Sequence, residues 1–127
     1  MTKERLMKII HTLLYIPLFL LSVNTSAASL DSEDIIKGKQ FWQKERVGKQ
    51  PYLQRSCTSC HGIDQTKQGK HIKTNKIIEP MALSITPTRF SNDKKVAKWF
   101  LRNCKWTVGR TCTVNEQKQI LAYLKSL

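Results

Sequence analysis

The run Cys57-Thr58-Ser59-Cys60-His61 has residue types and a spacing that define a chemistry. Two thiols separated by two residues can reach the two vinyl groups on one edge of a porphyrin and form thioethers. The imidazole that follows then lies under the iron and supplies a nitrogen ligand. From the chain's own Cys and His frequencies, such a run arises by chance in roughly three sequences per thousand. The spacing therefore predicts one covalently bound haem c, held by Cys57 and Cys60, with His61 as the proximal iron ligand. A redox C-x-x-C would want a thioredoxin-like βαβ pattern around it, and none is visible.

Export bears on the other two cysteines. Lys3, Arg5 and Lys8 precede an apolar run over residues 9–23, and Ser26-Ala27-Ala28 follows. That is the three-part layout of a secretory signal peptide. The run is about 15 residues long and contains Pro17, short of the ~20 apolar residues of a membrane-spanning helix. The expected division is a signal peptide over 1–28 and one domain over 29–127, placed in the periplasm. In that oxidising compartment all four cysteines need partners. Cys104 and Cys112 most simply form a disulfide, whose short loop would contribute roughly 2.5 kcal/mol by chain entropy. The rival, a zinc site of all four cysteines, would have an unusual second spacing.

The chain has 127 residues, a formal net charge of +13 and 40% hydrophobic residues, which leaves room for one domain and excludes a two-domain enzyme. Residues 29–127 keep 19 Lys and Arg against 8 Asp and Glu. A domain of this size buries a modest core and needs a disulfide, metal or cofactor to supplement it. The positive excess suits an acidic redox partner better than nucleic acid, because the chain carries an export signal and lacks a recognition motif. Lys67, Lys70, Lys73 and Lys76 recur at intervals of three in a polar segment, which reads either as a solvated loop or as a docking patch.

Helices must position these groups. Asp31 or Ser32 is expected to cap a helix carrying Ile35, Gly38, Phe41 and Trp42 at helical spacing. Gly38 costs that helix about 1 kcal/mol relative to Ala, which implies a second helix crossing closely, expected to be the one holding Ile120 to Leu124. Ser91 or Asn92 caps a helix with Val96, Trp99, Phe100 and Asn103 at i, i+3, i+4 and i+7. Asn103 thus shares the inward face, where a buried amide needs a partner. Thr107 to Arg110 reads as a turn. Thr113 and Glu116 form a capping box opening a last helix with Ile120, Tyr123, Leu124 and Leu127 on one stripe. No strand is visible, and the fold class is all-α.

The second axial position decides between an electron carrier and a gas binder. Met81 would give a plain His/Met electron-transfer centre, but it lies only 20 residues past His61, after Pro80, on a segment expected to pass the proximal side. His71 falls in the lysine-rich loop and is expected at the surface. Asn103, 42 residues past His61, is the third candidate.

Here the chain resembles the SHP-type (sphaeroides haem protein) oxygen-binding class I cytochromes c. The resemblance runs through Cys57 to Gly62, Pro80, Thr86-Pro87-Thr88-Arg89-Phe90, Val96 to Cys104 and Val108 to Thr113, covering residues 57–127 well and the first helix loosely. Arg102-Asn103-Cys104 and Gly109-Arg110-Thr111-Cys112 are its specific part, and leucine usually stands in the family where Met81 is.

The resemblance implies a class I cytochrome c-like fold around one haem c, with Asn103 as a displaceable distal ligand of ferric iron and a Cys104–Cys112 disulfide beside it. It implies binding of O2, NO or CO after reduction, and dihaem cytochrome c or membrane b-type cytochromes as redox partners, so that the membrane is reached only indirectly. An enzyme processing nitric oxide or oxygen is a further alternative. A carbonyl near Pro80 is expected to accept the His61 Nδ1 proton, Arg89 to pair with a haem propionate, and Trp99 to wall the distal pocket.

Overall fold

The computed structural model describes residues 27–127, with side chains from Ser32 onward. All but the last two residues of the expected signal peptide lie outside the described residues. Helix α1 (Ala27–Gln43) begins ahead of the expected cap, so Asp31 and Ser32 lie within it. It packs across the last helix, α4 (Val114–Lys125). The crossing is close because Gly38 has no side chain: a Cβ there would lie 1.9 Å from the Gln119 carbonyl oxygen and 2.9 Å from the Tyr123 Cβ. This is the approach that the cost of a mid-helix glycine implied. An ion pair at 2.8 Å between Lys118 Nζ and Asp34 also joins the two helices.

The stripe on α4 forms the core. Ile120, Tyr123 and Leu124 cluster with Trp42, and Phe41, Met81, Phe90, Phe100 and Leu127 pack around them. Four buried residues make a small centre for a domain, as the chain length required.

Between α1 and the third helix the chain is irregular but not strandless. Arg46–Val47 (β1) pairs antiparallel with Gln54–Arg55 (β2), and Gly69–Lys70 (β3) with Ile77–Ile78 (β4). Two-residue ladders are too short to leave an alternating pattern, so the expectation of no strand is corrected here. The single turn α2 (Thr58–His61) carries the C-x-x-C-H motif.

Helix α3 (Asp93–Thr107) starts at Asn92, whose side chain accepts from the Lys95 amide at 2.8 Å. It includes Thr107, which the sequence placed in a turn. Cys104 and Cys112 are joined by a disulfide. Immediately afterwards, Thr113 Oγ1 accepts from the Glu116 amide, and Glu116 accepts from the Thr113 amide at 2.7 Å. Glu116 also takes a two-pronged pair from Arg110 at 2.7 and 2.8 Å, tying the disulfide loop to α4. That guanidinium holds the Glu116 carboxyl at about 2, with burial opposing and the Thr113 amide assisting.

Two outcomes follow. Gly38→Ala, despite about 1 kcal/mol of added helix propensity, is expected to lower unfolding free energy by a net amount of about 2 kcal/mol in denaturant titrations of the haem-loaded protein, because backbone must move to admit the methyl. Glu116→Gln is expected to cost about 1 kcal/mol at pH 7, after allowance for solvent screening. Because the folded carboxyl titrates below its unfolded value, this difference from the parent is present above about pH 4.5 and disappears as pH falls towards 2. Paired melts across that range measure it.

Candidate functional site

The C-x-x-C-H turn is held from inside and outside. Within it, the Cys60 and His61 amides donate to the Cys57 carbonyl at 3.3 and 3.1 Å. Buried Ser56 fastens its start: its amide donates to Ser59 Oγ at 3.0 Å, and its hydroxyl lies 2.6 Å from that of Thr58. From outside, Gly69 on β3 presses against it, since a Cβ there would stand 2.3 Å from the Cys60 carbonyl oxygen and 2.8 Å from the His61 Cα. The β3–β4 hairpin therefore backs the turn, and the Ile72 amide donates to Cys60 Sγ at 3.5 Å.

Cys57 and Cys60 are free thiols, not bonded to each other. Burial, partly offset by Arg46, pushes the Cys57 thiol up to about 11. A thiol-disulfide enzyme needs the opposite shift, so this pair does not suit that chemistry. The four-cysteine zinc alternative fails as well, because the disulfide consumes Cys104 and Cys112.

The His61 ring lies against Trp42, with centroids 5.0 Å apart. Burial drives its imidazole down to about 4, and the positive charges of Arg89 and His71 act in the same direction. The ring is therefore neutral at physiological pH, the form that coordinates metal. Its Nδ1 is buried without a partner. The Pro80 carbonyl, expected to accept that proton, instead accepts from Thr86 Oγ1 at 3.1 Å and Arg89 Nε at 2.7 Å. Arg89 also donates to the Glu79 carbonyl, so two of its nitrogens are engaged with backbone. The cause is local: the tight turn 86–90, with Phe90 in the left-handed region at φ 68°, folds Arg89 back over residues 79–80.

Gln65 was not singled out by its sequence. It is 3% exposed. Its Nε2 donates to the Gly62 and Ile63 carbonyls at 2.8 and 3.2 Å, while its main-chain carbonyl accepts the Met81 and Ala82 amides, both at 3.0 Å. Gln65 thereby ties the Met81 segment to the His61 side of the site, where the Met81 side chain joins the core around Trp42. His71 is half-buried and not at the open surface; its Nδ1 accepts from the Lys73 and Thr74 amides at 3.3 and 3.2 Å and closes its own loop.

Asn103 is exposed on α3, one residue before the disulfide, and its side chain makes no hydrogen bond with another described residue. The inward strip of α3 runs through Val96, Phe100, Cys104 and Thr107, and Asn103 lies beside it with Trp99, which is 46% exposed. The buried-amide expectation is corrected accordingly.

The residues fit a covalent haem. Among the described residues, the buried side-chain polar atoms without partners are Trp42 Nε1, His61 Nδ1, Gln65 Oε1 and Trp106 Nε1, and three of these four residues are in or against the attachment turn. Native interiors rarely strand polar atoms, so their concentration marks a site more than a packing accident. Two free thiols and a neutral imidazole on one turn supply the donor set. No group of three or more His, Cys, Asp or Glu among the described residues offers a separate metal site.

Comparisons with known proteins agree with this donor set. Residues 28–124 match a family described as Domain of unknown function (DUF1924). The chain is 40% identical over 98 residues to Cytochrome c-type protein SHP of Cereibacter sphaeroides, covering 77% of this chain and 74% of that protein. It is 32% identical over 97 residues to Cytochrome c'' of Methylophilus methylotrophus, covering 74% and 65%. The structure of oxidised SHP, an oxygen-binding cytochrome c, matches with a TM-score of 0.67 at 34% identity, covering 79% of this chain and 96% of that one. A solution structure of cytochrome c'', which gives insights into the structural basis of haem-ligand detachment, matches with a TM-score of 0.59 at 32% identity, covering 71% and 72%.

Proposed function

This chain belongs to the SHP family of monohaem c-type cytochromes, and we propose that it is an exported electron-transfer protein that binds a diatomic ligand after reduction displaces an asparagine from the iron. When bound, the haem supplies a one-electron couple and a sixth coordination position. Cys57 and Cys60 hold it through thioethers. His61 gives the proximal nitrogen, kept neutral by burial and walled by Trp42.

Asn103 would supply the displaceable ligand of the ferric iron. Its amide oxygen is a hard, neutral, weak donor that would favour ferric over ferrous iron, so reduction would loosen it. The carrying observation is its setting: an unbonded amide beside Trp99, one residue from a disulfide that limits its travel. The Gln65 clasp, which ties the Met81 segment to the loop that follows His61, favours Asn103 over Met81 for that role. The oxygen binding of SHP and the interest of cytochrome c'' in ligand detachment support the same reading. Oxygen, nitric oxide and carbon monoxide are the ligands of matching size and chemistry.

Export to the periplasm is supported by the family match starting at residue 28, where the expected leader ends, and by a disulfide that suits an oxidising compartment. The surplus of lysine and arginine suits an acidic redox partner of the dihaem cytochrome c kind as the electron source.

Visible spectra test the ligand. Dithionite reduction of the parent should give a ferrous form whose spectrum shifts when carbon monoxide is added. Asn103→Ala should make the ferric haem five-coordinate or water-bound while carbon monoxide binding persists. A low-spin ferrous spectrum that carbon monoxide leaves unmoved would overturn the proposal in favour of a fixed second ligand.

A further inference from the structure

The β1–β2 hairpin and the last turn of α3 form a face that the haem chemistry leaves unused. Tyr52 and Trp106 meet there edge to face, with ring centroids 6.2 Å apart. The Arg55 guanidinium lies 4.7 Å from the Trp106 ring and donates to the Trp106 carbonyl at 2.9 Å, locking hairpin to helix. Lys73 reaches in from the β3–β4 loop, its Nζ 5.6 Å from the Tyr52 ring and 5.9 Å from the Trp106 ring. Lys49, Arg55 and Lys105 line an adjoining depression of about 360 Å³. None of these four cations forms an ion pair among the described residues; the three pairs present there lie on α1, between α1 and α4, and between the disulfide loop and α4.

Two properties set this face apart from a merely basic surface. Two of its cations, Arg55 and Lys73, are held against aromatic faces, so little of their side-chain freedom remains to be lost on docking. It also carries exposed apolar groups, with Val47 96% and Leu53 55% exposed on the same hairpin. Arginine and aromatic residues with a charged rim are the composition of protein interfaces. The face adjoins the haem attachment, because β2 ends at Arg55, two residues before Cys57. Of the lysines spaced by three, only Lys73 joins it; Lys67, Lys70 and Lys76 are exposed elsewhere in the loop.

We infer that this face is the docking surface for an acidic electron-donor protein, with carboxylates of the donor meeting Lys49, Lys73 and Lys105 over the Tyr52 and Trp106 rings. One electron would pass from the donor's redox centre to the ferric haem, and the bond from Asn103 to iron would be the one loosened by that reduction. The inference rests on the acidic-partner reading above and adds its location.

A dodecaglutamate peptide serves as the acidic probe, titrated into ferric holoprotein at about 20 mM ionic strength, where screening is weak, and followed by backbone amide shifts. Shifts are expected over 47–55 and 105–109. Lys49→Glu with Lys105→Glu should weaken binding on the order of ten-fold, whereas Lys67→Glu with Lys70→Glu, an equal change of charge, should weaken it less than about three-fold. An unchanged visible spectrum and melt confirm each variant is folded and loaded. Equal weakening by the two pairs, or shifts centred on the lysine loop, would overturn the location while leaving the acidic partner standing. A peptide that does not bind the parent at all would overturn both.

Discussion

The closeness of α1 to α4 at Gly38 is the constraint from which the site follows. With the Gln119 carbonyl occupying the space of a Cβ, the helices approach closely enough to bury Trp42 among Ile120, Tyr123 and Leu124. The same indole then stands 5.0 Å from the His61 ring. Trp42 is thus part of the core and wall of the His61 imidazole, the proposed proximal ligand, at once. A looser crossing would deprive it of both partners, so fold stability and imidazole orientation are coupled through one side chain. Rigid support of this kind is what a coordination site needs.

Hydrogen bonding around that wall is uneven. On the His61 side, Gln65 clasps four backbone groups, Arg89 ties residues 79 and 80, and the β3 glycine leans on the attachment turn. On the outer face of α3, Trp99 and Asn103 have no comparable clasp, and the nearby restraint is the Cys104–Cys112 bond. A ligand that stays belongs where backbone and side chains over-determine it. A ligand that leaves belongs where its backbone is pinned but its side chain is not. The asymmetry is what the roles proposed for His61 and Asn103 require, and Met81 has the first kind of setting but not the second.

Features encoded locally were legible in the sequence. The C-x-x-C-H turn, the Thr113–Glu116 capping box and the α4 stripe each depend on residues within two turns of one another, and Gly38 announced the helix crossing through its cost. What escaped depended on distance or on brevity. Two-residue ladders leave no alternation. Gln65 is a polar residue in a polar loop until the Met81 segment folds onto it, and the Pro80 carbonyl is captured by an arginine nine residues away. Asn103 shows a different limit. Helical periodicity put it on the inward face with Phe100, but the protein interior takes Cys104 and Thr107.

Charge behaves in the same way. Along the sequence, Lys67, Lys70, Lys73 and Lys76 form a run, and the run looks like the unit of recognition. In space the unit dissolves: Lys73 turns to Tyr52 and Trp106, and joins Lys49, Arg55 and Lys105 from two other elements. Screening limits exposed charges to about 8 Å at physiological salt, so cations grouped around two touching rings act together while solvated neighbours act alone. A net positive charge would steer an acidic protein towards the molecule. In the docking proposed above, Arg55 and Lys73, held beside the attachment turn by the Trp106 and Tyr52 rings, would then fix the edge that meets it.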